Sequence, residues 1–125
     1  MKHLLVLLFI TLSFNTMAQR YALNAHHLVM ADETGVILNE EVDIDMVLDT
    51  DKSRIVIYSK ETQVLDYKIV RRYVDKDNYS VTETTATDTK WEGIRLDILI
   101  NSELGSILIN ITYPSFSYVY VCEML

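Results

Sequence analysis

Two adjacent histidines and one cysteine are the residues of this chain best suited to nucleophilic catalysis. A cysteine or serine nucleophile needs a neighbouring base, which is most often a histidine. His26 and His27 follow each other directly, and Cys122 lies near the other end of the sequence. Adjacent side chains of a strand point to opposite faces, so at most one imidazole faces any given pocket. Because the chain also lacks a G-x-S-x-G motif and has only 3 glycines, we expect no catalytic residues and no phosphate-binding loop.

Oxygen-rich turns are the patterns closest to a metal site. Residues 49–53 read Asp-Thr-Asp-Lys-Ser, with oxygen donors at alternate positions as in a calcium loop. However, Arg54 stands where such a loop needs glycine, and Lys60 stands where it needs the bidentate glutamate. Aspartate and asparagine are frequent in turns without any ion, which also explains the turn at residues 75–78. We therefore expect no metal and no cofactor.

Aromatic side chains are the remaining candidates for a ligand site. Tyrosine combines an apolar ring with a polar hydroxyl, which suits a pocket lining or a contact surface. Alternation along the sequence places Tyr67 and Tyr73 on one strand face, and it places three aromatic residues near the C-terminus on one face of another strand. Tyrosine is also a good strand former, so the alternative is that these residues serve packing alone. The ligand-binding candidates are Tyr67, Tyr73, Trp91, Phe116, Tyr118 and Tyr120.

Residues 1–18 have the three-part pattern of a secretory signal. A basic start is followed by an apolar run at residues 4–12, and Thr16 and Ala18 are small residues at the positions that a signal peptidase reads. The apolar run is too short to span a bilayer as a helix, which needs about 20 residues. We expect export to a periplasm or to the outside, cleavage before Gln19, and a soluble protein of residues 19–125.

Charge and cysteine content limit the partners of this protein. The chain has a formal net charge of −7 from 11 basic and 18 acidic residues, which disfavours binding to nucleic acid. No second apolar run approaches membrane-spanning length, so we expect no membrane insertion of the processed protein. A single cysteine provides no disulfide framework, and we expect Cys122 to be buried as a small hydrophobe. An intermolecular disulfide is the alternative for this residue.

Hydrophobic residues of the processed chain alternate with a period of two, which is typical of antiparallel strands with one buried face. The alternation is clearest in Val42–Asp49, Ile94–Asn101 and Ile107–Tyr113. Hairpin-length turns connect the segments, whereas parallel strands would need longer crossovers. We therefore predict an all-β fold, an antiparallel meander of about eight strands that forms a single domain over residues 19–125. The other expected strands cover part of Arg20–Ala31, Arg54–Ser59, Thr62–Val74, Tyr79–Thr87 and Phe116–Glu123.

A meander of this kind must bury one face of its sheet. It can close into a small calycin-like barrel or half-barrel, or it can fold into a two-layer β-sandwich. Closure removes the exposed edges of the sheet, so we favour the barrel. The term calycin-like describes the architecture only. Trp91, in the turn before a strand, would close one end of either structure.

The segment Leu104–Cys122 carries no charged residue, although it spans two predicted strands. Half-exposed strands usually carry charge on the wet face, so this hairpin is either covered on both faces or offered to a partner. Two functions follow from these observations. The first is an exported, non-catalytic module that binds an apolar or amphiphilic ligand in the barrel. The second is a structural or interaction module that uses residues 104–122 for self-association or for a protein partner.

Overall fold

Each strand of this protein pairs with its neighbours in the sequence, and the last strand returns to pair with the first. The computed structural model describes residues 20–88, 90 and 93–125. The leader predicted at residues 1–18 and the candidate Trp91 lie outside these residues. The described chain forms eight strands: β1 (Arg20–Asp32), β2 (Gly35–Asp49), β3 (Arg54–Tyr58), β4 (Thr62–Val74), β5 (Ser80–Thr87), β6 (Ile94–Asn101), β7 (Ser106–Thr112) and β8 (Phe116–Met124).

The sheet closes on itself. All neighbouring strands are antiparallel, in the order β1 to β8, and β8 pairs with β1 from Leu23 opposite Met124 to Asp32 opposite Phe116. This closing ladder confirms the predicted barrel, and it shows that the half-barrel and the two-layer sandwich were wrong alternatives. No described residue belongs to a helix with the length and hydrophobicity needed to cross a membrane.

The alternating aliphatic side chains point into the barrel and fill most of its interior. Leu96 of β6 and Ile109 of β7 are fully buried, as are Ile55 and Ile57 of β3. Smaller side chains stand between them, including Ala86 and Thr84 of β5, so large and small residues fit together across the narrow interior. The buried Thr84 hydroxyl donates a hydrogen bond of 2.7 Å to the Leu96 carbonyl oxygen, so its burial leaves no unpaired polar group.

The β1–β2 hairpin extends further than the sequence pattern predicts. Alternation predicts the second strand from Val42, whereas β2 begins at Gly35. Residues 35–41 lack clean alternation because this part of β2 is largely exposed, with Val36 and Ile37 both open to solvent. Backbone pairing with β1 forms this extension, for which the side-chain pattern gives little indication.

The turns follow the predicted turn chemistry. Asp75 Oδ1 accepts backbone hydrogen bonds of 2.9 Å from Asp77 and 3.0 Å from Tyr79, which fixes the β4–β5 turn. Asp49 Oδ1 similarly accepts a bond of 3.1 Å from the Lys52 amide at the β2–β3 turn. Gly105 has a φ of 65°, a conformation that glycine adopts without steric cost. The connections 50–53, 75–79 and 102–105, which lie at one end of the barrel, are each five residues or fewer.

Candidate functional site

The two ends of the barrel differ in what lines them. The end that we call the Arg72 mouth is formed where β1, β3, β5 and β7 begin and where β2, β4, β6 and β8 finish. The opposite end, which we call the aromatic end, carries the β7–β8 turn and the aromatic side chains beside it. Because strand directions alternate in a meander, every second turn contributes to the same end.

A cavity of about 280 Å³ lies at the Arg72 mouth and reaches the barrel core. Its wall includes the buried core residues Leu23, Leu48 and Ile107. Most of the lining is therefore apolar, and a few polar groups of threonine, tyrosine and arginine interrupt it. A largely apolar pocket with a few polar groups is the usual form of a small-molecule site. The lining residues are Tyr21, Leu23, Leu48, Thr50, Tyr67, Arg72, Thr82, Ile98, Ile100, Ile107 and Met124.

An irregularity in β4 brings Arg72 to this cavity. The β4–β5 register shifts between Ile69 and Arg71, so one extra residue, Val70, stands in β4. Because side chains alternate with a period of two, the extra residue exchanges inner and outer faces for the rest of the strand. Arg72 consequently lies opposite Thr82, and both residues line the cavity.

The same shift corrects one expectation from the sequence. Tyr67 and Tyr73 do not share a strand face, because the extra residue of β4 lies between them. Tyr67 is 6% exposed and lines the cavity, whereas Tyr73 is 39% exposed. The Arg71 guanidinium lies 4.7 Å from the centre of the Tyr73 ring and donates hydrogen bonds of 2.9 Å and 3.1 Å to Glu83. These contacts lie on the outer surface of the barrel, away from the cavity.

Arg72 differs from the other arginines in its charge environment. Each of the other four contacts a carboxylate: Arg20 pairs with Asp49, Arg54 with Asp66, Arg71 with Glu83, and Arg95 with Asp97 and Glu83. Within the described part of the chain, no carboxylate lies in ion-pair distance of Arg72. An arginine without a carboxylate partner, at the rim of an apolar cavity, leaves its guanidinium donors available to an anion.

Tyr67 and Asp49 complete the electrostatics of the Arg72 mouth. Burial raises the pKa of Tyr67, and the positive charge of Arg72 opposes part of this increase in pKa. The phenol therefore stays neutral at physiological pH. Asp49 is buried and is held by Arg20 at 3.7 Å and by the Lys52 amide. Asp49 is thus compensated by its own neighbours. The turns at this end also carry other acids, including Asp51, Asp75 and Glu103, but within the described residues none of them forms an ion pair with Arg72.

The aromatic end is closed by stacked rings. Tyr113 and Phe116 stack with centroids 4.7 Å apart, and Tyr118 meets Phe116 edge-on at 5.4 Å. Tyr120 continues the stack towards the core at 6.3 Å from Tyr118. Burial raises the pKa of Tyr113 and of Tyr120 to about 12. Aromatic contacts of this type stabilise a fold by about 0.5–1.5 kcal/mol each beyond the area that they bury.

Rings of this stack also line clefts at the aromatic end, and Phe116 and Tyr118 contribute to both of those described next. One of about 530 Å³ is lined partly by the β1–β2 turn, including Glu33 and Thr34. Another of about 280 Å³ includes Glu61, Asp88 and Lys90 from neighbouring turns. The cleft of about 530 Å³ has no buried lining residue and the smaller one has Tyr113 alone, whereas the cavity at the Arg72 mouth is lined by several buried core residues. The latter is therefore the better candidate for a ligand site.

The sequence-based candidates divide between separate places. Tyr67 lies in the cavity and Tyr73 on the outer surface, while Phe116, Tyr118 and Tyr120 form the aromatic end. The prediction that Phe116, Tyr118 and Tyr120 share one strand face is confirmed, because their rings contact one another in sequence. The sequence analysis missed Arg72, because uniform alternation from Tyr67 would turn Arg71 inwards instead. The apolar pair formed by residues 69 and 70 is the signal of a break in the alternation.

The residues considered for catalysis do not come together in one pocket. Cys122 is 1% exposed, and its thiol lies 3.7 Å from the Tyr120 carbonyl oxygen. Burial raises the pKa of this thiol to about 12, so it stays protonated at neutral pH. His26 is exposed, and the His27 ring contacts the side chain of Asn39. The prediction that Cys122 is a buried free cysteine is confirmed. Across the described ranges, no three His, Cys, Asp or Glu side chains are grouped as a metal site.

The uncharged segment 104–122 contributes both to the core and to the outer wall. Its inward residues, such as Ile109 and Ile111, are fully buried, whereas the outward Leu108, Val119 and Val121 are half-buried. The lack of charge on the inner face follows from burial in the barrel. An association surface on the outer face stays a prediction.

Comparisons with known proteins identify no relative. No protein-family model, no curated protein and no solved structure matches this chain.

Proposed function

We propose that this protein is an exported, non-catalytic barrel that binds a small apolar or amphiphilic ligand in the cavity at the Arg72 mouth. The observation that supports this proposal most strongly is that the cavity extends from the rim to the buried core residues Leu23, Leu48 and Ile107. Apolar surface of this kind favours a ligand because binding removes hydrocarbon from water, at about 25 cal/mol for each Å² buried.

The size of the cavity limits the ligand. Its volume of about 280 Å³ lies just below the range of roughly 300–1,000 Å³ that is usual for small-molecule sites. The remaining interior is occupied by side chains, so a long hydrocarbon chain has no room in the barrel. We therefore propose a short chain or a single ring with a polar group at one end.

The tripartite pattern of residues 1–18 supports export. The eight strands of the closed barrel all lie after this segment, so cleavage leaves the barrel complete. We expect the mass of the chain recovered from the periplasm or the medium to correspond to a start at Gln19. Recovery of the uncleaved chain from the cytoplasm would contradict the export proposal.

Titration calorimetry with hexanoate and hexanol tests the ligand site. A small ligand of this kind gains a binding free energy of about −0.7 kcal/mol for each of its roughly eight non-hydrogen atoms. We therefore expect a Kd on the order of 0.1 mM for the better of the two ligands. Thr82→Phe places a ring at the wall of the cavity and should weaken binding by at least about tenfold, a loss of about 1.4 kcal/mol. Circular dichroism and the melting temperature show whether the variant folds.

Thr62→Phe is the matched control. Thr62 lines a cleft at the aromatic end, so the same substitution there should leave the affinity within about twofold. Unchanged affinity in a folded Thr82→Phe variant, or an equal loss in both variants, would contradict binding at the Arg72 mouth.

A further inference from the structure

We infer that the ligand of the Arg72 mouth is an anion: a short apolar chain or ring that carries one carboxylate or similar acidic group, which Arg72 binds at the rim. This inference rests on the proposed function and adds the chemical class of the ligand. The geometry behind it is an arginine without a carboxylate partner, placed beside a threonine hydroxyl above an apolar cavity.

The charge pattern of the barrel supports an anionic ligand. The processed chain is acidic, with 18 Asp and Glu residues against 10 Lys and Arg once Lys2 is removed with the leader. Despite this excess of acid, Arg72 has no ion pair within the described ranges, while the other arginines all contact carboxylates. Asp49, at the end of β2 beside the cavity, is engaged by Arg20 and by the Lys52 amide, and Asp75 in the β4–β5 turn accepts backbone hydrogen bonds from Asp77 and Tyr79. An incoming anion therefore meets a guanidinium that forms no ion pair with a described carboxylate.

The position of Arg72 fits the recognition of a head group. Thr82 stands directly opposite it in the β4–β5 ladder and lines the same cavity. A guanidinium offers a fork of N–H donors to the two oxygens of a carboxylate, and a threonine hydroxyl offers one more donor. Ile98 lies opposite Thr82 in the β5–β6 ladder, and both Ile98 and the buried Ile107 line the cavity, where they offer apolar surface to the rest of the ligand.

Arg71 provides an internal comparison with Arg72. The two residues are consecutive and carry the same charge, but the shifted register directs Arg71 to the outer surface, where it pairs with Glu83. A substitution at Arg71 therefore changes the net charge by the same amount without changing the cavity. This separates recognition by one guanidinium from a general effect of charge on the approach of an anion.

The experiment compares hexanoate with hexanol, which have the same carbon chain and different head groups. Calorimetry at neutral pH would be run on the wild type, Arg72→Gln, Arg72→Lys and Arg71→Gln. We expect the wild type to bind hexanoate at least about tenfold more tightly than hexanol. Arg72→Gln should abolish this preference, so that the variant binds hexanoate and hexanol with affinities within about twofold of each other. Arg72→Lys should retain part of the preference because it keeps the charge, and Arg71→Gln should retain all of it.

The outcomes separate the inference from the proposal beneath it. Equal affinity of the wild type for the two ligands, or an undiminished preference in Arg72→Gln, would overturn the anionic inference while leaving a ligand site in place. An equal loss of preference in Arg71→Gln would overturn it as well, because the effect would then be one of net charge. Binding of neither ligand to the wild type would overturn the proposed function itself.

Discussion

Arg71, Arg72 and Cys122 show how the burial and the charged neighbours of a side chain determine what it does. Arg71 and Arg72 differ by one position, yet one makes an ion pair on the outer surface and the other lines the cavity. Cys122 is chemically the most reactive group of the chain by type, but the core keeps it protonated. The environment of each side chain therefore decides its chemistry.

Burial of Cys122 predicts a loss of stability in alkaline solution. Its pKa is raised from 9.0 to about 12 in the folded state. When a group has a higher pKa in the folded state than in the unfolded state, its contribution to stability is complete below the pKa of the unfolded state. The contribution is lost as the pH rises towards the pKa of the folded state, because only the unfolded chain can ionise the group in this range. We expect the melting temperature to fall by several degrees between about pH 9 and about pH 10, where the thiol of the unfolded chain ionises first.

Cys122→Ala tests this assignment because alanine does not titrate. The variant should show a shallower decline over the same pH range, although its lower volume makes it less stable throughout. Burial also raises the pKa of Tyr113 and Tyr120 from 10.0 to about 12, so both proteins should lose stability above about pH 10. Identical slopes for the two proteins below that pH would contradict the role of the thiol.

Among the elements, β4 shows where a sequence pattern is sufficient and where it is not. Alternation predicts the bounds of β4 as Thr62–Val74, and these bounds are confirmed. The pattern does not show that Val70 is an extra residue, because the choice of inner face depends on contacts with β5 that are distant in sequence. Arg71 gains Glu83 and the Tyr73 ring in the shifted register, and only the folded sheet brings these groups together.

β2 shows the opposite case, in which the pattern is too weak. Residues 42–49 alternate cleanly because one face of this part packs against the core. Residues 35–41 are largely exposed, so burial imposes little pattern on them, and backbone pairing with β1 alone extends the strand. Sequence patterns therefore detect strands through their buried faces, and exposed extensions escape them.

The aromatic stack of β8 should be a major source of stability for its end of the barrel. Tyr120 is 4% exposed and packs beside Tyr118, so Tyr120→Ala should lower the free energy of unfolding by about 3–5 kcal/mol. Tyr58 of β3 is 52% exposed, and Tyr58→Ala should change this free energy by no more than about 0.5 kcal/mol. Urea unfolding of both variants measures the difference, and similar losses would contradict the structural role of the stack.

The whole molecule is a closed barrel whose two ends are lined by different side chains. Period-two alternation and short turns were sufficient to predict eight antiparallel strands, and the benefit of removing edges favoured closure. The closing ladder between β1 and β8 joins the two ends of the described chain, so local patterns gave no direct sign of it. The cavity could not be predicted either, because it depends on how completely the side chains fill the barrel.

Closure also explains why the ligand candidates of the sequence analysis separate. Two side chains that both point into the barrel still lie at opposite ends of it when their residues stand at different heights along the barrel. Tyr67 belongs to the Arg72 mouth, and Phe116 and Tyr118 belong to the aromatic end. We therefore propose ligand binding at the Arg72 mouth and a stabilising role for the aromatic end.

Mapping of bound hexanoate by nuclear magnetic resonance on methyl-labelled protein tests this assignment most directly. We predict that saturating hexanoate shifts the methyl signals of Leu23, Leu48 and Ile98, which line the cavity at the Arg72 mouth. The signals of Met30 and Ile37, which line a cleft at the aromatic end, should stay unchanged. Shifts confined to Met30 and Ile37, or the absence of any shift at saturating concentrations, would contradict a ligand site at the Arg72 mouth.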